Sequence, residues 1–586
     1  MTNAIMRGSV KIVIAKTAGF CMGVRRAVEM VLDTNRQADG PIYTYGPLIH
    51  NPQVLNIFKE KGISTLEEIP EKGSGSILVR AHGVPPDVKK KLVAAGFDVF
   101  DATCPRVIQV QTIIRKHAEK GYASIIIGDK DHPEVVGLMG YTGGNGHVVD
   151  NMEGLNALPE FEKAIIVAQT TQNTSFFDQV IGRVEQKFPH YKVFKTICDS
   201  TEKRQVEVKR MAASVDALIV VGGYNSGNTK RLAEIARQAG KPVLHVETEA
   251  DIDVHKLSGA ERVGITAGAS TPNWIIKRVY RKLETMPSKA RVAWHQAAFS
   301  IQRALLLNNI YVALGAGALC FAGAKLQGAR NVIPQILISM LYVQSMHILN
   351  HLMGRKSDRF NDPERADFYV RNQVWLFALA SFSGAAGVFI AYTLGVVPFV
   401  ILLIMSILGL SYNLRVIPGE LVGKHGMKRL KDIPGSKTVL IALAWGVVTS
   451  IFPAFGASSE HFYVGTLAAF IWSAGLVFAR TAFFEILDMQ GDRIVGKETI
   501  PILIGSRRSM RLLKSMLLFL VVMVFLLSLL GVFTSLGYGL AISPLLMLLV
   551  ILANEKEYML PGLKMEFIME STMVLSGVIT LIWFCL

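Results

Sequence analysis

The stretch Asp101-Ala-Thr-Cys-Pro105 places a cysteine where a short predicted strand runs into a turn. Cysteine is rare in this chain, with five in 586 residues. Two others stand in similar surroundings, Cys21 within Gly19-Phe-Cys-Met-Gly-Val24 and Cys198 within Thr196-Ile-Cys-Asp-Ser-Thr201. They lie about 83 residues before and about 94 residues after Cys104. Three similar sites at nearly even spacing predict three similar lobes.

The pattern of these cysteines indicates metal binding or catalysis. A cytosolic protein keeps its thiols reduced, so isolated cysteines do not suggest a disulfide framework. Zinc usually takes four ligands, often from Cys-x-x-Cys pairs, and the sequence has no such pair. An iron–sulfur cluster is normally held by four thiolates, and three would leave one iron open for a substrate. The alternative is that all three are small buried apolar side chains, which is how free cysteine usually behaves.

The composition divides the chain into two unlike parts. At 586 residues it is too long for one core, so two or more domains are expected. Residues 1–285 have the pattern of a soluble α/β protein, whereas from about residue 303 apolar runs long enough to span a bilayer recur. Residues 1–10 lead directly into a strand without a signal peptide, so we expect the first part to remain in the cytoplasm. The net charge of +16 suits cytoplasmic loops rich in Lys and Arg, and we predict no nucleic-acid partner.

In the first part, polar or small residues follow the predicted strands. The strand over 42–45 leads to His50, and the strand over 77–80 leads to His82. Because ligands collect beyond the carboxyl ends of strands in open α/β sheets, we expect such residues to converge on one region. Each could singly be an ordinary loop residue, but their coincidence with three cysteines indicates a site. The full set is His50, Asn51, His82, His132, Glu134, Thr170, Thr171, Ser226, Asn228 and Ser270.

Two of these segments carry more specific signals. In Asp131-His132-Pro-Glu134, an extended segment would direct His132 and Glu134 to the same face, and Pro133 restricts His132 to extended geometry. The glycine-rich turn over 222–228 joins a strand to a helix and offers backbone N–H groups to an anion. It is neither a P-loop nor a dinucleotide-binding turn. This turn predicts phosphate binding.

Residues 10–283 resemble the 4-hydroxy-3-methylbut-2-enyl diphosphate reductase family, which acts last in the non-mevalonate isoprenoid pathway. The resemblance rests on nine motifs in the family's order: Gly19-Phe-Cys-Met-Gly-Val24, Ile49-His-Asn51, Ala81-His-Gly-Val84, Asp101-Ala-Thr-Cys-Pro105, His132-Pro-Glu134, Gln169-Thr-Thr171, Ile197-Cys198, Asn225-Ser-Gly-Asn-Thr229 and Gly268-Ala-Ser270. It implies a trefoil of three α/β lobes around a 4Fe-4S cluster held by Cys21, Cys104 and Cys198.

The resemblance also implies a role for each loop residue. Glu134, helped by Thr170 and Thr171, would deliver the proton with which the substrate hydroxyl leaves as water, so that Glu134 and Thr170 are the catalytic residues. Two electrons from an external donor such as ferredoxin or flavodoxin would then give an allyl anion, whose protonation yields isopentenyl or dimethylallyl diphosphate. Many relatives carry a serine where this chain has Gly227, so one hydroxyl is lost while the backbone N–H remains. The substrate-binding set is His50, His82, His132, Thr171, Ser226, Gly227, Asn228 and Ser270.

The second part predicts an all-α membrane domain of about nine helices over residues 303–586, after a basic linker over residues 286–302. Lys and Arg are dense in the connections 350–372, 412–437 and 480–514, which places these on the cytoplasmic side of the inner membrane. An odd number of spans would leave the C-terminus outside. The candidate spans are 303–324, 331–349, 373–393, 396–412, 437–455, 462–480, 515–535, 538–553 and 568–585.

Carboxylates lie next to the sixth predicted span. At helical spacing Glu485, Asp488 and Asp492 share one face, where they would suit Mg²⁺ bridging a diphosphate. The alternative is a solvated loop with charges at a helix end. Such polar groups at a membrane edge mark ion or substrate sites more often than accident.

Residues 295–585 resemble the UbiA-type intramembrane prenyltransferases. The resemblance rests on Asp488-x-x-x-Asp492-Arg, Gly496-Lys-Glu-Thr-Ile-Pro501, Ser411-Tyr-Asn-Leu-Arg415 and Lys431-Asp-Ile-Pro434. The family's first aspartate-rich motif aligns with residues 350–358, where Asn350 and Asp358 remain but His351 and Gly354 replace two aspartates. We therefore expect either one metal at the second motif or a domain that binds prenyl diphosphates without transferring them. A membrane domain that serves only as an anchor is the rival interpretation.

Overall fold

The computed structural model describes residues 11–38, 40–257, 259–284, 293–412, 415–418, 427–429, 433–455, 462–556 and 562–586. The chain divides into two compact units, Met1–Ala290 and Arg291–Leu586, here called the N-terminal and C-terminal units. The first contains three parallel β-sheets, and the second is almost entirely helical. Residues 286–292 of the predicted linker lie outside the described residues, and the rest of it is helical.

The strands and helices of the N-terminal unit alternate along the chain. The strands are β1 (Lys11–Ile14), β2 (Ile42–Tyr45), β3 (Ile63–Leu66), β4 (Ser76–Val79), β5 (Asp98–Asp101), β6 (Ala123–Ile127), β7 (Gly146–Val149), β8 (Ala164–Ala168), β9 (Lys192–Val193), β10 (Ala217–Val221), β11 (Val243–Val246) and β12 (Arg262–Ala267). The helices are α1 (Met22–Gln37), α2 (Pro52–Glu60), α3 (Pro86–Ala94), α4 (Pro105–Ala118), α5 (Pro133–Met139), α6 (Met152–Asn156), α7 (Thr174–Lys187), α8 (Asp199–Ser214), α9 (Gly227–Gln238) and α10 (Asn273–Glu284).

The three sheets share one connection order. Their strands lie side by side as β3-β2-β4-β5, as β7-β6-β8-β9 and as β11-β10-β12-β1. In each sheet the first and third strands of the lobe form the centre, and all pairs are parallel. The third lobe takes its fourth strand from the beginning of the chain, where β1 pairs with β12. The prediction of three similar α/β lobes is confirmed.

The central strands are buried on both faces, as parallel strands covered by helices must be. All residues of β6, β8 and β10 are buried, and their sequences are nearly continuous apolar runs. Helices begin where the sequence supplies a cap and a proline, at Pro52, Pro105 and Pro133. These helix starts therefore fall directly at the carboxyl ends of strands, where the site residues lie.

One local prediction is wrong. His132 is extended, with φ −70° and ψ 134°, but Pro133 begins α5, so Glu134 lies in the first turn of a helix and not in an extended segment. The physical reason is that proline is well suited to the first helical position, since its missing N–H has no partner there in any case. Glu134 still faces the same cavity as His132.

The C-terminal unit consists of packed helices and one small hairpin. The helices are α11 (Ala293–Leu307), α12 (Ile310–Leu326), α13 (Ile333–Met353), α14 (Arg355–Asn361), α15 (Pro363–Arg371), α16 (Gln373–Leu394), α17 (Val396–Ser411), α18 (Ser436–Gly446), α19 (Phe452–Ala454), α20 (Phe462–Val495), α21 (Ile500–Ile504), α22 (Ser506–Leu529), α23 (Leu536–Leu540), α24 (Ile542–Glu555) and α25 (Leu563–Cys585). The hairpin pairs β13 (Arg415–Pro418) with β14 (Met427–Arg429) in antiparallel fashion. A π-helical turn, Val447–Ile451, joins α18 to α19.

Seven helices in the described residues are long and apolar enough to cross a membrane, or eight if the bent pair α11–α12 forms one span. The sequence predicted nine. The pair bends by 74° at Asn308–Asn309, where Asn309 adopts φ 56°, a left-handed conformation that asparagine tolerates. The fourth predicted span, α17, is an apolar helix of only 16 residues, about 24 Å long, which is short for a bilayer. The chain is a multi-pass membrane protein.

The helix of the sixth predicted span continues well beyond the predicted end at residue 480. Helix α20 is 34 residues long and carries Glu485, Asp488 and Asp492 on its C-terminal third, so the second aspartate-rich motif is helical and not a loop. Glu485 and Asp492 are 3% and 2% exposed, which excludes a solvated position for these two side chains. Parts of the two middle-loop motifs, residues 413–414 and 431–432, lie outside the described residues.

Candidate active site

A cavity of about 100 Å³ in the N-terminal unit collects the predicted site residues of that unit. All three lobes contribute to its lining. In each lobe, the lining residues follow the first, third and fourth strands of that lobe. Its lining includes Cys21, His50, His82, Cys104, His132, Glu134, Thr170, Thr171, Cys198, Ser226, Gly227, Asn228 and Ser270.

The three cysteines occupy equivalent positions in the three lobes. Each follows the fourth strand of a sheet, and each is the N-cap residue of the next helix: Cys21 of α1, Cys104 of α4 and Cys198 of α8. A helix N-terminus presents unpaired N–H groups and a positive partial charge, which stabilise a thiolate. The N–H of Val24 donates to Cys21 Sγ over 3.5 Å. A Cβ on Gly23 would clash with Cys104 Sγ, so glycine at this position lets two of the cysteine segments approach.

The electrostatics around the cysteines combine half-buried thiols with a buried cation. Burial raises the pKa of the Cys104 thiol, the N–H groups of Arg106 and Val107 oppose this, and Cys21 and Cys198 raise it further. Arg204 on α8 is 3% exposed and donates to the Gly19 carbonyl over 2.5 Å. Burial lowers the pKa of the Arg204 guanidinium, whereas the charges of Cys21 and Cys198 raise it. A permanent positive charge therefore lies beside two of the three sulfurs.

The donor set fits a cluster better than a single ion. In the described residues, the only group of three or more histidine, cysteine or carboxylate side chains with ligand atoms all within 4.8 Å of one another is His50, His82 and His132. The three sulfurs line one cavity but are spread more widely than that. A single zinc ion would draw its ligands into one tetrahedron, whereas a cube accepts one thiolate on each of several irons.

The three histidines lie together in the lining of the cavity and are here called the histidine wall. Their ring centroids lie 4.6 to 5.8 Å apart. Burial lowers the pKa of His132 to about 4, and burial followed by repulsion from neighbouring cations lowers the pKa of His50 and His82. The Nδ1 atom of His132 accepts from the Glu134 N–H over 3.1 Å, which leaves its Nε2–H for a ligand. These are neutral imidazoles that can donate to an anion.

Small polar groups from the third lobe complete this wall. Ser226 is the N-cap of α9, and its Oγ accepts from the N–H and the hydroxyl of Thr229, so its own proton is available. Ser270 Oγ donates to the His50 carbonyl over 3.1 Å. A Cβ on Gly227 would lie 3.6 Å from the His132 ring, an ordinary contact, so a serine would fit there. In the described residues the buried atoms His50 Nε2, His82 Nδ1 and Asn228 Nδ2 have no hydrogen-bond partner, which indicates a missing polar ligand.

Glu134 lines the same cavity and is 2% exposed. Its carboxylate accepts from the Thr170 N–H over 2.6 Å and from the Thr170 hydroxyl over 2.8 Å. Burial raises the pKa of Glu134 to about 7, and the two hydrogen bonds from Thr170 limit the rise. A carboxyl group with this pKa can hold or release a proton at neutral pH.

In the C-terminal unit the predicted metal ligands are largely engaged with other side chains. Asp358 Oδ2 lies 2.7 Å from His351 Nδ1. Asp492 Oδ1 accepts from Asn361 Nδ2 over 2.8 Å and lies 3.5 Å from Lys497 Nζ. Asp488 lies one turn before Asp492 on α20. Within the part of the chain that the structure describes, these carboxylates do not form a group of three within 4.8 Å.

Asn350 lines a second cavity, of about 330 Å³, between α13, α17 and α18. The cavity is lined mainly by apolar side chains, including Val343, Met405, Leu440 and Trp445. Its few polar lining residues include Asn350 and Lys437. Asn350 therefore lies in helix α13 and not in a loop, and it borders an apolar pocket.

Sequence reasoning missed Arg204 and Lys437. Arg204 could have been found from periodicity, because the buried residues of α8 recur at helical spacing and Arg204 interrupts that apolar stripe. Lys437 follows the residues compared with the UbiA middle loop and stands out from the sequence only as a lysine at the start of an apolar run. No local pattern marks it as a cavity residue.

Comparison with known proteins defines the class. Residues 12–284 match the family model described as LytB protein, and residues 309–558 match that of the UbiA prenyltransferase family. The chain belongs to the LytB family and carries a UbiA-type domain on the same polypeptide. The predicted resemblance of its two parts to these two families is confirmed.

Each of the two parts is also similar to particular proteins. The 4-hydroxy-3-methylbut-2-enyl diphosphate reductase of Aquifex aeolicus (strain VF5) is 41% identical over 278 residues, which are 47% of this chain and 96% of that protein. A solved (E)-4-hydroxy-3-methyl-but-2-enyl diphosphate reductase is 40% identical with a TM-score of 0.38, covering 47% of this chain and 100% of that one. A UbiA homologue from Archaeoglobus fulgidus, solved with GPP and Mg²⁺, is 16% identical with a TM-score of 0.35, covering 47% of this chain and 98% of that one.

Proposed function

We propose that the N-terminal unit reduces 4-hydroxy-3-methylbut-2-enyl diphosphate to isopentenyl and dimethylallyl diphosphate, with its three lobes arranged as a trefoil around a 4Fe-4S cluster. The observation that carries the proposal is the meeting of three cysteines, three histidines and Glu134 in one cavity. The activity is that of relatives about 40% identical over nearly their whole length.

Cys21, Cys104 and Cys198 would hold the cluster. Three helix N-termini and Arg204 offset the negative charge of three thiolates there. When bound, the cluster supplies electrons and a Lewis-acidic iron. The protein's own contribution is to bring the three cysteines and the histidine wall to one cavity.

The histidine wall would bind the diphosphate. His50, His82 and His132 present ring N–H groups, Ser226 presents a hydroxyl, and Asn228 presents an unpaired amide. The start of α9 adds the Gly227 N–H and the positive end of a helix. Thr171 and Ser270 line the same wall and complete the proposed binding set.

Glu134 would donate the proton to the departing hydroxyl. Its side chain lines the cavity that also receives the cysteines and the histidines, and Thr170 fixes its orientation through two hydrogen bonds. A hydroxyl is a poor leaving group, and a positioned acid lowers the barrier to its departure as water. Thr170 therefore acts as the residue that positions the acid.

The test uses full-length protein purified without oxygen. We expect a brown protein that absorbs at about 400 nm and contains iron but no zinc. It should also turn over the C5 substrate with a chemically reduced electron carrier. Cys104→Ser should lose the colour and the turnover, whereas Cys585→Ser, at an exposed position of the other unit, should keep both. Colourless wild-type protein, or a zinc-loaded one, would refute the cluster.

The C-terminal unit would bind prenyl diphosphates within the inner membrane and keep the N-terminal unit on its cytoplasmic side. The cavity of about 330 Å³ favours a binding function over that of an anchor alone, because an anchor needs no pocket. Whether a prenyl group is transferred depends on the degenerate first motif, where His351 pairs with Asp358.

Ferredoxin or flavodoxin would supply the electrons to the N-terminal unit.

A further inference from the structure

Arg231 extends from the third lobe to the middle lobe, whose sheet is β7-β6-β8-β9. It lies on α9, one helical turn after Gly227, and its side chain is 11% exposed. Its Nη1 donates to the Thr171 carbonyl over 2.9 Å, and its Nη2 donates to Asp129 Oδ1 over 2.7 Å. Thr171 follows β8 and Asp129 follows β6. One guanidinium therefore joins α9 to two loops of another lobe.

The two loops that Arg231 contacts are also joined to each other. The Asp129 carbonyl accepts from the His132 N–H over 3.0 Å, at the turn that leads into α5, the helix that carries the proposed acid. The side chain of Gln169 accepts from the Asp129 N–H over 3.0 Å and donates to Thr171 Oγ1 over 2.9 Å. A displacement at Arg231 is therefore passed to both loops.

The start of α9 carries groups of the proposed diphosphate site, since residues 226–228 line the cavity there. A Cβ on Gly227 would lie 3.6 Å from the His132 ring and 3.8 Å from Asp129 Oδ2, so the two lobes approach each other closely at this point. Arg231 itself is not in the cavity lining that the described residues form. It therefore acts on the site through the groups that it holds and through its charge.

The charge of Arg231 is part of the environment of Glu134. Burial raises the pKa of Glu134 to about 7, the hydrogen bonds from Thr170 and the charge of Arg231 lower it, and the charge of Asp129 raises it. A role through charge and a role through position predict different results. Charge moves the pH at which turnover decreases, whereas position changes the rate at which the protonated acid reacts.

We propose that Arg231 is a positioning residue for the reduction: its two hydrogen bonds hold the start of α9 against the loops after β6 and β8, and so fix the diphosphate-binding groups relative to the proton donor. The inference rests on the proposed function of the N-terminal unit. A planar guanidinium suits this task because its N–H groups donate in fixed directions, whereas a lysine ammonium is a point charge on a flexible stem. A displacement of about 1 Å that originates away from the chemistry can lower a rate by about a hundredfold.

The test uses full-length protein purified without oxygen and measures turnover of 4-hydroxy-3-methylbut-2-enyl diphosphate per intact cluster as a function of pH. We expect Arg231→Met to lower kcat by about 10- to 100-fold even on the low-pH plateau, with KM within about threefold because the bound diphosphate still contacts both lobes. Arg231→Lys can keep one of the two contacts and should recover part of the loss. The matched control is Lys209→Met, which removes an exposed hydrogen bond from α8 to Ser175 of α7 and should turn over like wild type.

Asp129→Asn separates charge from position. Its amide oxygen can still accept from Arg231, so the plateau kcat should stay within about threefold of the wild-type value. Because a negative charge is lost, the pKa of Glu134 should fall and the decrease in turnover should move to lower pH. Arg231→Met removes a positive charge and should move the same decrease to higher pH. An Arg231→Met variant that shows this shift but keeps the wild-type plateau would overturn the positioning role.

Hydrogen–deuterium exchange gives a readout that does not depend on turnover. Arg231→Met should increase exchange at residues 129–134 and 226–230, whereas Lys209→Met should not. Unchanged exchange at both segments would overturn the tie between the lobes. Wild-type protein that holds a cluster but shows no turnover would instead refute the proposed function, even where the exchange data support the tie. Iron content and melting temperature are measured for each variant, and if Arg231→Met does not fold, the same measurements on Arg231→Lys decide the outcome.

Discussion

Glu134 shows how the fold changes the chemistry of a single residue. An exposed glutamate is ionised at neutral pH, but burial removes the water that stabilises the carboxylate. Burial therefore raises the pKa of Glu134 to about 7, while the N–H and hydroxyl of Thr170 still favour the charged form. The opposing effects leave a group that can both donate and recover a proton.

Replacing Glu134 by glutamine should abolish proton delivery and leave the rest of the site in place. We expect turnover to fall by about 10²- to 10⁴-fold, the usual contribution of a general acid, with unchanged cluster absorbance and substrate Kd. The control is Glu162→Gln, an exposed residue whose side chain lies 3.7 Å from Lys163. A Glu134→Gln variant with wild-type turnover would remove Glu134 from the mechanism.

The pH profile of the wild-type protein tests the same residue without mutation. Because the protonated carboxyl is the donor, turnover should decrease as the pH rises through about 7. His132 should not contribute to this limb, since its pKa of about 4 keeps it neutral throughout. A rate that stays constant well above this pH would indicate another proton donor.

At the scale of elements, helix ends form the site of the N-terminal unit, whereas contacts between helices stabilise the C-terminal unit. In the N-terminal unit, helix N-termini direct cysteines, His132 and Ser226 to one cavity. In the C-terminal unit, α25 carries Glu566 and Glu570 one turn apart. Glu566 pairs with Arg365 of α15, and Glu570 pairs with Arg480 of α20. These buried pairs fix the position of α25 against two other helices.

Breaking one of these pairs should destabilise the C-terminal unit selectively. Glu570 is fully buried, so Arg480→Met leaves an uncompensated charge and should lower the free energy of unfolding by about 3–5 kcal/mol. The double variant Arg480→Met/Glu570→Met should recover most of this loss. Thermal unfolding in detergent measures the effect, with Lys514→Gln as a control that breaks a partly exposed pair and should cost about 0–1 kcal/mol. A double variant as unstable as the single one would show that the helix contact depends on the pair itself.

At the scale of the whole molecule, the chain joins two units with separate cores. The buried apolar clusters belong to one unit or the other, as in Ala123 to Tyr191 for one lobe and Val312 to Met573 for the membrane helices. The Aquifex aeolicus relative consists almost wholly of the part that matches the N-terminal unit. The N-terminal unit therefore has what it needs to fold independently.

A truncated chain of residues 1–285 should be soluble and retain reductase turnover. We expect its kcat with a soluble electron carrier to remain within about threefold of the full-length value, because its core and site are complete without the membrane helices. The comparison uses equal iron content in both proteins. A truncated protein that is folded and loaded with iron but inactive would show that the C-terminal unit takes part in the reaction.

The sequence by itself determined the elements and most of the chemistry. Apolar runs of two lengths separated the α/β part from the membrane part, and glycine, proline and polar motifs marked the strand ends where the site residues lie. These features are local, because strand and helix patterns and caps are encoded within a few neighbouring residues. The resemblance to the two families rests on the same short motifs.

Only the tertiary structure decided which groups meet and in what state. β1 completes a sheet whose other strands lie about 200 residues away, and this puts Cys21 in the position equivalent to Cys104 and Cys198. The buried state of Glu134 and the place of Lys437 in the apolar cavity have no local sequence signal. Periodicity can mark Arg204 as buried, but only the fold shows that it lies near Cys21 and Cys198. The physical reason is that burial and charge pairing depend on contacts between residues far apart in the chain, which no short pattern contains.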